Sequence, residues 1–300
     1  MQDGSCLFLD ISNTNSWKII IKILFNIQNK CLIILRICAI LYWGTDYYIK
    51  QEKTMHRFYV NTDQIKEKSI TITGQDVNHI KNVLRMKPGD ELVICDGQGK
   101  DCYCIINRVC DHEVIASVKL VSDTDTELPV KITLFQGLPK SDKMELIIQK
   151  AVELGVYEIV PVMMSRSVVK YSDDKKETKK LERWQAIAES AAKQSGRGFI
   201  PRVCKVMSFK EAVTYAGKLD WAVLPYENAK GMKDTKEALG RLKDCKTAGF
   251  FIGPEGGFED SEVELARDEN ITSVSLGRRI LRTETAGLAL LSMIMLYLEE

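Results

Sequence analysis

The sequence predicts a small β-barrel followed by an α/β domain built on a mainly parallel sheet. Three observations carry that expectation. Short runs of branched residues crowd together from Met55 to Val121, strand-like and helical runs alternate from Val130 onward, and the stretch Ser122 to Pro129 between them is polar, acidic and closed by proline. A chain of 300 residues with 45% hydrophobic content has room for about two proper cores. The expected division is residues 1–54 as an extension outside the fold, 55–124 as the barrel and 125–300 as the α/β domain.

Taken in order, the extension comes first. From Trp17 to Trp43 it is rich in Ile and Leu, but Lys18, Lys22, Lys30 and Arg36 interrupt it, leaving no charge-free run near the ~18 residues of a membrane span. It does not read as a signal peptide, because the apolar stretch starts late, carries charge and lacks a small-residue cleavage site. Its Ile, Asn and Lys bias reads as translated upstream sequence, with Met55 as the start of the folded protein; an interfacial amphipathic helix is the other reading.

In the barrel, strands are expected at Ser69 to Thr73, Glu91 to Asp96, Asp101 to Val109 and His112 to Val121, with turns at Gly89-Asp90 and Gly97-Gln98-Gly99. One helix, about Gln75 to Met86, places Val77, Ile80, Val83 and Leu84 on its inner face and His79, Lys81 and Arg85 on the other. The α/β part reads as strands at Val130 to Gln136, Glu158 to Val162, Trp221 to Leu224 and Ala248 to Ile252. Helices are expected through Glu145 to Leu154 and from about Lys175 to Gln194. The last helix, Thr285 to Leu298, is apolar on nearly every face and must be covered all round, inside the domain or by a partner.

The chain is organised around residues 250–286. The apolar run Phe250-Phe251-Ile252 breaks into Gly253-Pro254-Glu255-Gly256-Gly257-Phe258, and the strand-like Thr272 to Leu276 breaks at Gly277, so two strand-end loops sit one short βαβ step apart. Glycines there let a backbone turn sharply or a ligand come close. Thr283 or Thr285 can cap the following helix. No Gly-Lys-Ser/Thr follows, and the glycines miss dinucleotide-fingerprint spacing, so a nucleoside triphosphate is disfavoured.

Composition narrows the class further. A formal net charge of +1 gives no global electrostatic argument for nucleic acid, so any basic surface must be local. Nine cysteines without a Cys-x-x-Cys pair, and only His56, His79 and His112, lack metal-ligand spacing; scattered thiols suit a reducing cytoplasm. No metal is assigned.

Gly253 to Phe258 together with Leu276-Gly277-Arg278-Arg279-Ile280-Leu281-Arg282-Thr283-Glu284-Thr285-Ala286 resemble the two C-terminal motifs of the SPOUT, or trefoil-knot, methyltransferases. More narrowly they resemble the RsmE family of bacterial 16S rRNA uracil-N3 methyltransferases, over about Met55 to Glu300. The resemblance implies a knotted parallel-sheet domain preceded by a PUA-like RNA-binding barrel, a cytoplasmic homodimer joined through the last helix, no membrane association, and methyl transfer from S-adenosylmethionine to N3 of a uridine in 16S rRNA of the small ribosomal subunit. Other outcomes are a ribose 2′-O methyltransferase and a non-catalytic RNA-binding assembly factor.

For the cofactor, the resemblance implies Leu224, Gly253, Glu255, Gly256, Gly257, Leu276, Gly277, Ile280, Leu281, Thr285 and Ala286. For RNA it implies Arg57, the His-x-x-x-Val-Leu-Arg pattern of His79 and Arg85, Lys140 and Lys143 in Gly137 to Glu145, Arg166, Gln194 and Arg197. Cations at loop tips are residue types that hold phosphates, with solvated surface charge as the plain alternative. Arg282 is the expected catalytic cation, stabilising charge on O2 or O4 as N3 loses its proton. Glu284 or Glu255 takes that proton or holds Arg282; alternatively Arg282 and Glu284 form a structural ion pair.

Overall fold

The computed structural model describes residues 55–168, 174–226 and 231–299. The reading of residues 1–54 lies outside them. Among the described residues no helix is long and apolar enough to cross a membrane.

The N-terminal sheet contains β1 (Arg57–Tyr59), β2 (Ile65–Lys66), β3 (Ser69–Thr73), β4 (Glu91–Cys95), β5 (Lys100–Val109) and β6 (Glu113–Asp123). They follow the order β1-β4-β5-β6-β3-β2, with only β1 and β4 parallel. Alternation does what it should: in β3, Ile70 and Ile72 are buried between more exposed neighbours. Register shifts at Tyr103/Cys104 and Ile106/Arg108 interrupt the long β5·β6 ladder, and such bulges bend strands. The ladder is an open path rather than a ring.

The expected helix over residues 75–86 forms only in part. After α1 (Gln75–Asn78) the chain widens into a π turn, His79–Val83, and Arg85 adopts φ 54°. That wider turn rotates Val83 out of the inner face; Val77 and Ile80 are buried while Val83 is 63% exposed.

The second sheet is wholly parallel. It contains β7 (Lys131–Gly137), β8 (Glu158–Met163), β9 (Arg202–Val203), β10 (Met207–Ser208), β11 (Trp221–Pro225), β12 (Thr247–Ile252) and β13 (Thr272–Val274). The order is β10-β8-β7-β12-β11-β13, with β9 also paired to β8. Its helices are α2 (Lys143–Glu153), α3 (Asp174–Ser195), α4 (Phe209–Ala216), α5 (Lys233–Gly240), α6 (Asp260–Asp268) and α7 (Thr283–Leu298). One core joins α2, α3, α5 and α7 to the sheet through residues such as Leu134 and Phe250; the other joins α4 and α6 through Phe135 and Phe251. Burial of both faces explains why the strands are continuous apolar runs. The two glycine loops are joined by one βαβ step, β12-α6-β13, and that crossover passes over β11, which lies between the two strands in the sheet.

The two sheets meet at a hydrogen-bonded joint. Gly99 N donates to Gly198 O at 2.9 Å, Ile200 N to Gly97 O at 3.1 Å and Cys95 Sγ to Gly198 O at 3.2 Å. A Cβ at Gly198 would come within 2.3 Å of Thr124, so this crossing requires glycine. Beside it Arg197 is 3% exposed: its guanidinium pairs with Glu127 and donates to the carbonyls of Val152 and Val156. The expectation that Arg197 binds RNA is thereby overturned, since its donors are committed inside the protein.

Candidate active site

Parallel strands all point the same way, so their C-terminal loops converge on one edge of the sheet, where ligands bind in open α/β folds. The loop after β12 (253–258), the loop after β13 (275–282) and the end of β11 enclose a cavity of about 550 Å³. Gly253, Glu255, Gly256, Gly257, Leu276, Gly277, Ile280, Leu281 and Ala286 line it, as the motifs imply. Leu224 and Thr285 do not: Leu224 is fully buried in the core shared with α4 and α6, and the β11 contribution comes instead from Pro225 and Tyr226. Proline closing an apolar strand was the signal for that strand end. The other lining residues missed from sequence include Phe258, Ser275, Arg278, Arg279 and Thr283.

The first loop is braced on every side. Its backbone curls tightly, with Gly257 N donating to Pro254 O at 2.9 Å and Gly257 at φ 68°. A Cβ on Gly137, at the end of β7, would meet the Pro254 nitrogen at 2.7 Å. Glu255 accepts from Lys143 Nζ at 3.0 Å and from Lys140 N at 3.1 Å, and Arg166 Nη1 donates to Gly256 O at 2.9 Å. Ser165 is itself fixed by its N–H donating to Glu262 at 2.9 Å.

A buried polar chain ties this loop to α7. Gln136 Nε2 donates to Thr283 Oγ1 at 2.9 Å, and Thr283 Oγ1 donates to Gly253 O at 2.7 Å. Thr283 is therefore not the cap of α7; the N-cap is Arg282, whose side chain makes no capping bond, and the Thr283 hydroxyl is turned to the loop.

The charges around the cavity fall into two sets. Lys143 sits between carboxylates, 3.0 Å from Glu255 and 3.5 Å from Glu284, so Glu284 pairs with Lys143 and not with Arg282. Burial alone would raise the Glu255 pKa, but hydrogen bonds from Lys143, its own backbone and Lys140 hold it below the usual carboxylate range. Glu284 Oε2 is buried without a hydrogen-bond partner. By contrast Arg278, Arg279 and Arg282 are exposed and line the cavity. Among the described residues their side chains make no ion pair or hydrogen bond, and the backbone N–H groups of residues 278–282 find no acceptor.

The expected RNA contacts divide accordingly. Lys140, Lys143 and Arg166 gather at the first loop. His79, edge-on to Phe58, and Arg85 are exposed on the N-terminal sheet's helical turn, and Gln194 is exposed near the end of α3. Arg57 is drawn into an ion pair with Asp101 at 2.6 Å.

A family model described as an RNA methyltransferase domain matches residues 126–295, and one described as an RNA methyltransferase PUA domain matches residues 72–119. The Bacillus subtilis ribosomal RNA small subunit methyltransferase E is 39% identical over 246 residues, covering 80% of this chain and 96% of that protein. The chain belongs to this RNA methyltransferase family. The Synechocystis protein of the same name is 34% identical over 81% of this chain and 78% of its own. Two solved structures with S-adenosylmethionine bound are similar: the Neisseria gonorrhoeae small subunit methyltransferase E, 33% identical with a TM-score of 0.66 over 80% of this chain and 96% of that one, and a Legionella pneumophila methyltransferase, 31% identical with the same score and coverage.

The family's cavity in this chain fits that molecule. A Cβ at Gly257 or Gly277 would meet nothing within 4 Å, so both glycines face open space. Apolar walls at Ile252, Leu276, Leu281 and Ala286 suit a flat purine, and the unpaired N–H groups of residues 278–282 suit its polar edges.

Proposed function

We propose that this protein transfers a methyl group from S-adenosylmethionine to N3 of a uridine in 16S rRNA of the small ribosomal subunit. The observation that carries the reading is the glycine-walled cavity at the strand ends, bordered by unpaired arginines and lined by the family's two motifs. The cofactor supplies a methyl group on a sulfonium, which leaves sulfur as the N3–C bond forms. The chain's own residues must orient the base and remove the N3 proton. Arg282, free at the mouth, stabilises negative charge gathering on O2 or O4. Glu284 takes the proton: its Oε2 is held only by the 3.5 Å ion pair to Lys143, whereas Glu255 is engaged by both Lys143 and Lys140.

The catalytic unit in this reading is Met55 to Glu300, a PUA-like β domain followed by a SPOUT domain whose C-terminal segment is threaded as a trefoil knot. It works as a homodimer through α7. Leu290, Leu291 and Ile294 are buried within the domain but Leu296 on the outer face is 65% exposed, and covering such a side chain is worth ~1.5–3 kcal/mol. Cytoplasmic location follows from the substrate. Small subunits lacking the modification should accept labelled methyl from S-adenosylmethionine, with mass spectrometry finding 3-methyluridine. A 2′-O-methyl product would move the reaction to ribose, and no transfer would leave an RNA-binding assembly factor.

A further inference from the structure

The second loop presents an unusual surface. Ile280 is 87% exposed, the most exposed of the large hydrophobic residues in the described chain, and it projects from a loop that also lines the cavity. A lone exposed aliphatic needs no explanation by itself. Here the sequence Arg278-Arg279-Ile280-Leu281-Arg282 sets it among guanidinium groups that are exposed and have no partner among the described residues. The carboxylates at this end of the sheet, Glu255 and Glu284, are occupied by Lys143. Three guanidinium groups without a partner among the described residues thus sit together at the rim of the cavity.

Resting on the proposed uridine methylation, we infer that residues 278–282 form a base-extruding clamp, in which Arg278 and Arg279 grip the phosphates flanking the target nucleotide and Ile280 enters the stack the uracil vacates. Chemistry at N3 requires it, because that atom lies on the pairing edge of the base and is out of reach while the base is stacked and paired. Guanidinium groups bind phosphates in bidentate fashion, and aliphatic wedges hold unstacked steps open in nucleic-acid complexes. Charge complementarity selects RNA as the occupant: a second copy of this chain would have to place its own surface against a cluster of unpaired arginines. Gly277, at φ 110°, lets the loop turn sharply after β13.

The test uses full-length protein, unmodified small subunits, and an RNA hairpin with 2-aminopurine beside its single paired uridine. Wild-type protein with S-adenosylmethionine should raise the 2-aminopurine fluorescence as its neighbour leaves the stack. Ile280→Ser should abolish that rise and slow single-turnover transfer to subunits at least ~10-fold, the scale of an unstacking cost of a few kcal/mol. Sedimentation should stay unchanged, cofactor affinity should fall by less than transfer does, and Ile280→Met should restore transfer. Arg278→Gln with Arg279→Gln should weaken subunit binding and reduce the salt slope by about 1 for each phosphate no longer held. An Ile280→Ser protein that extrudes and methylates normally, loses cofactor affinity in full step with transfer, or changes oligomeric state would overturn the clamp, the last assigning Ile280 to an interface between copies. Transfer by wild type alongside any of these results would leave the methyltransferase reading intact.

Discussion

The two glycine loops of the cavity do opposite things with the same residue type. In residues 253–258 the backbone is pinned by Thr283 and Arg166, and the Glu255 side chain by Lys140 and Lys143. In residues 276–282 the backbone N–H groups are braced, among the described residues, by Gly277 donating to Ser275 Oγ at 3.3 Å and by nothing beyond it, and the arginines are exposed to solvent. A wall whose shape must not change suits a cofactor with a fixed outline. A lip with unspent donors suits a large, charged substrate that brings its own partners. Changes in the wall should therefore cost stability and cofactor affinity together, while changes to the arginine side chains of the lip should cost chemistry alone.

The largest expected effect breaks the lip. Arg282→Ala should lower single-turnover methyl transfer by ~2–4 kcal/mol in transition-state terms, as removal of a charge-stabilising donor does, while calorimetric S-adenosylmethionine affinity and melting temperature stay near wild type. A fall in melting temperature that matches the lost activity would mean the second loop is braced after all.

Next comes the tie between wall and helix. Thr283→Val keeps the shape but strips Gly253 O and one Gln136 N–H of their partner in a site where Thr283 is 5% exposed. Leaving such buried groups unsatisfied costs about 1–3 kcal/mol. Thermal unfolding and cofactor affinity should drop together, and a variant with normal affinity would show that the loop holds its form without α7. Gly257→Val asks a smaller question. Its Cβ would meet no protein atom, so the penalty is the left-handed backbone at φ 68°, about 1–2 kcal/mol, plus obstruction of the cavity. Unchanged cofactor affinity in the folded variant would remove Gly257 from the site.

What the sequence disclosed follows the same division. Strand β3 falls on Ser69–Thr73 as alternation requires, and the cavity loops were visible because glycine and proline at strand ends are local signals. The partners were not local. Arg197 follows Ser195-Gly196 and looks like a loop-tip cation, yet Glu127, 70 residues upstream, claims it. Glu284 stands two residues from Arg282 but pairs with Lys143 on α2. Thr283 has the right type for a cap, and only the approach of Gly253 in space turns its hydroxyl away. Spacing reveals which residue types are available; three-dimensional competition for their donors decides which stay free.

The smallest effect tests the ion pair that fixes the wall. Glu255 has a folded pKa below its ordinary ~4.3, and Lys143, through its hydrogen bond to Glu255, one above its ordinary ~10.4. For a depressed carboxylate, the stabilisation is complete above the unfolded pKa and is lost as pH falls through the folded one; for the raised ammonium it is complete below the unfolded pKa and lost as pH rises through the folded one. The tie should thus be at full strength between about pH 4.3 and 10.4 and fade on the acid side first. Because both side chains are about a third exposed, salt should weaken it further. Glu255→Gln mimics the protonated acid, so its melting temperature should lie slightly below wild type at neutral pH and converge with it as pH drops below the ordinary carboxylate range. A difference that persists unchanged into acid would mean that Glu255 holds the wall through its neutral hydrogen bonds, with the charge of Lys143 playing no part.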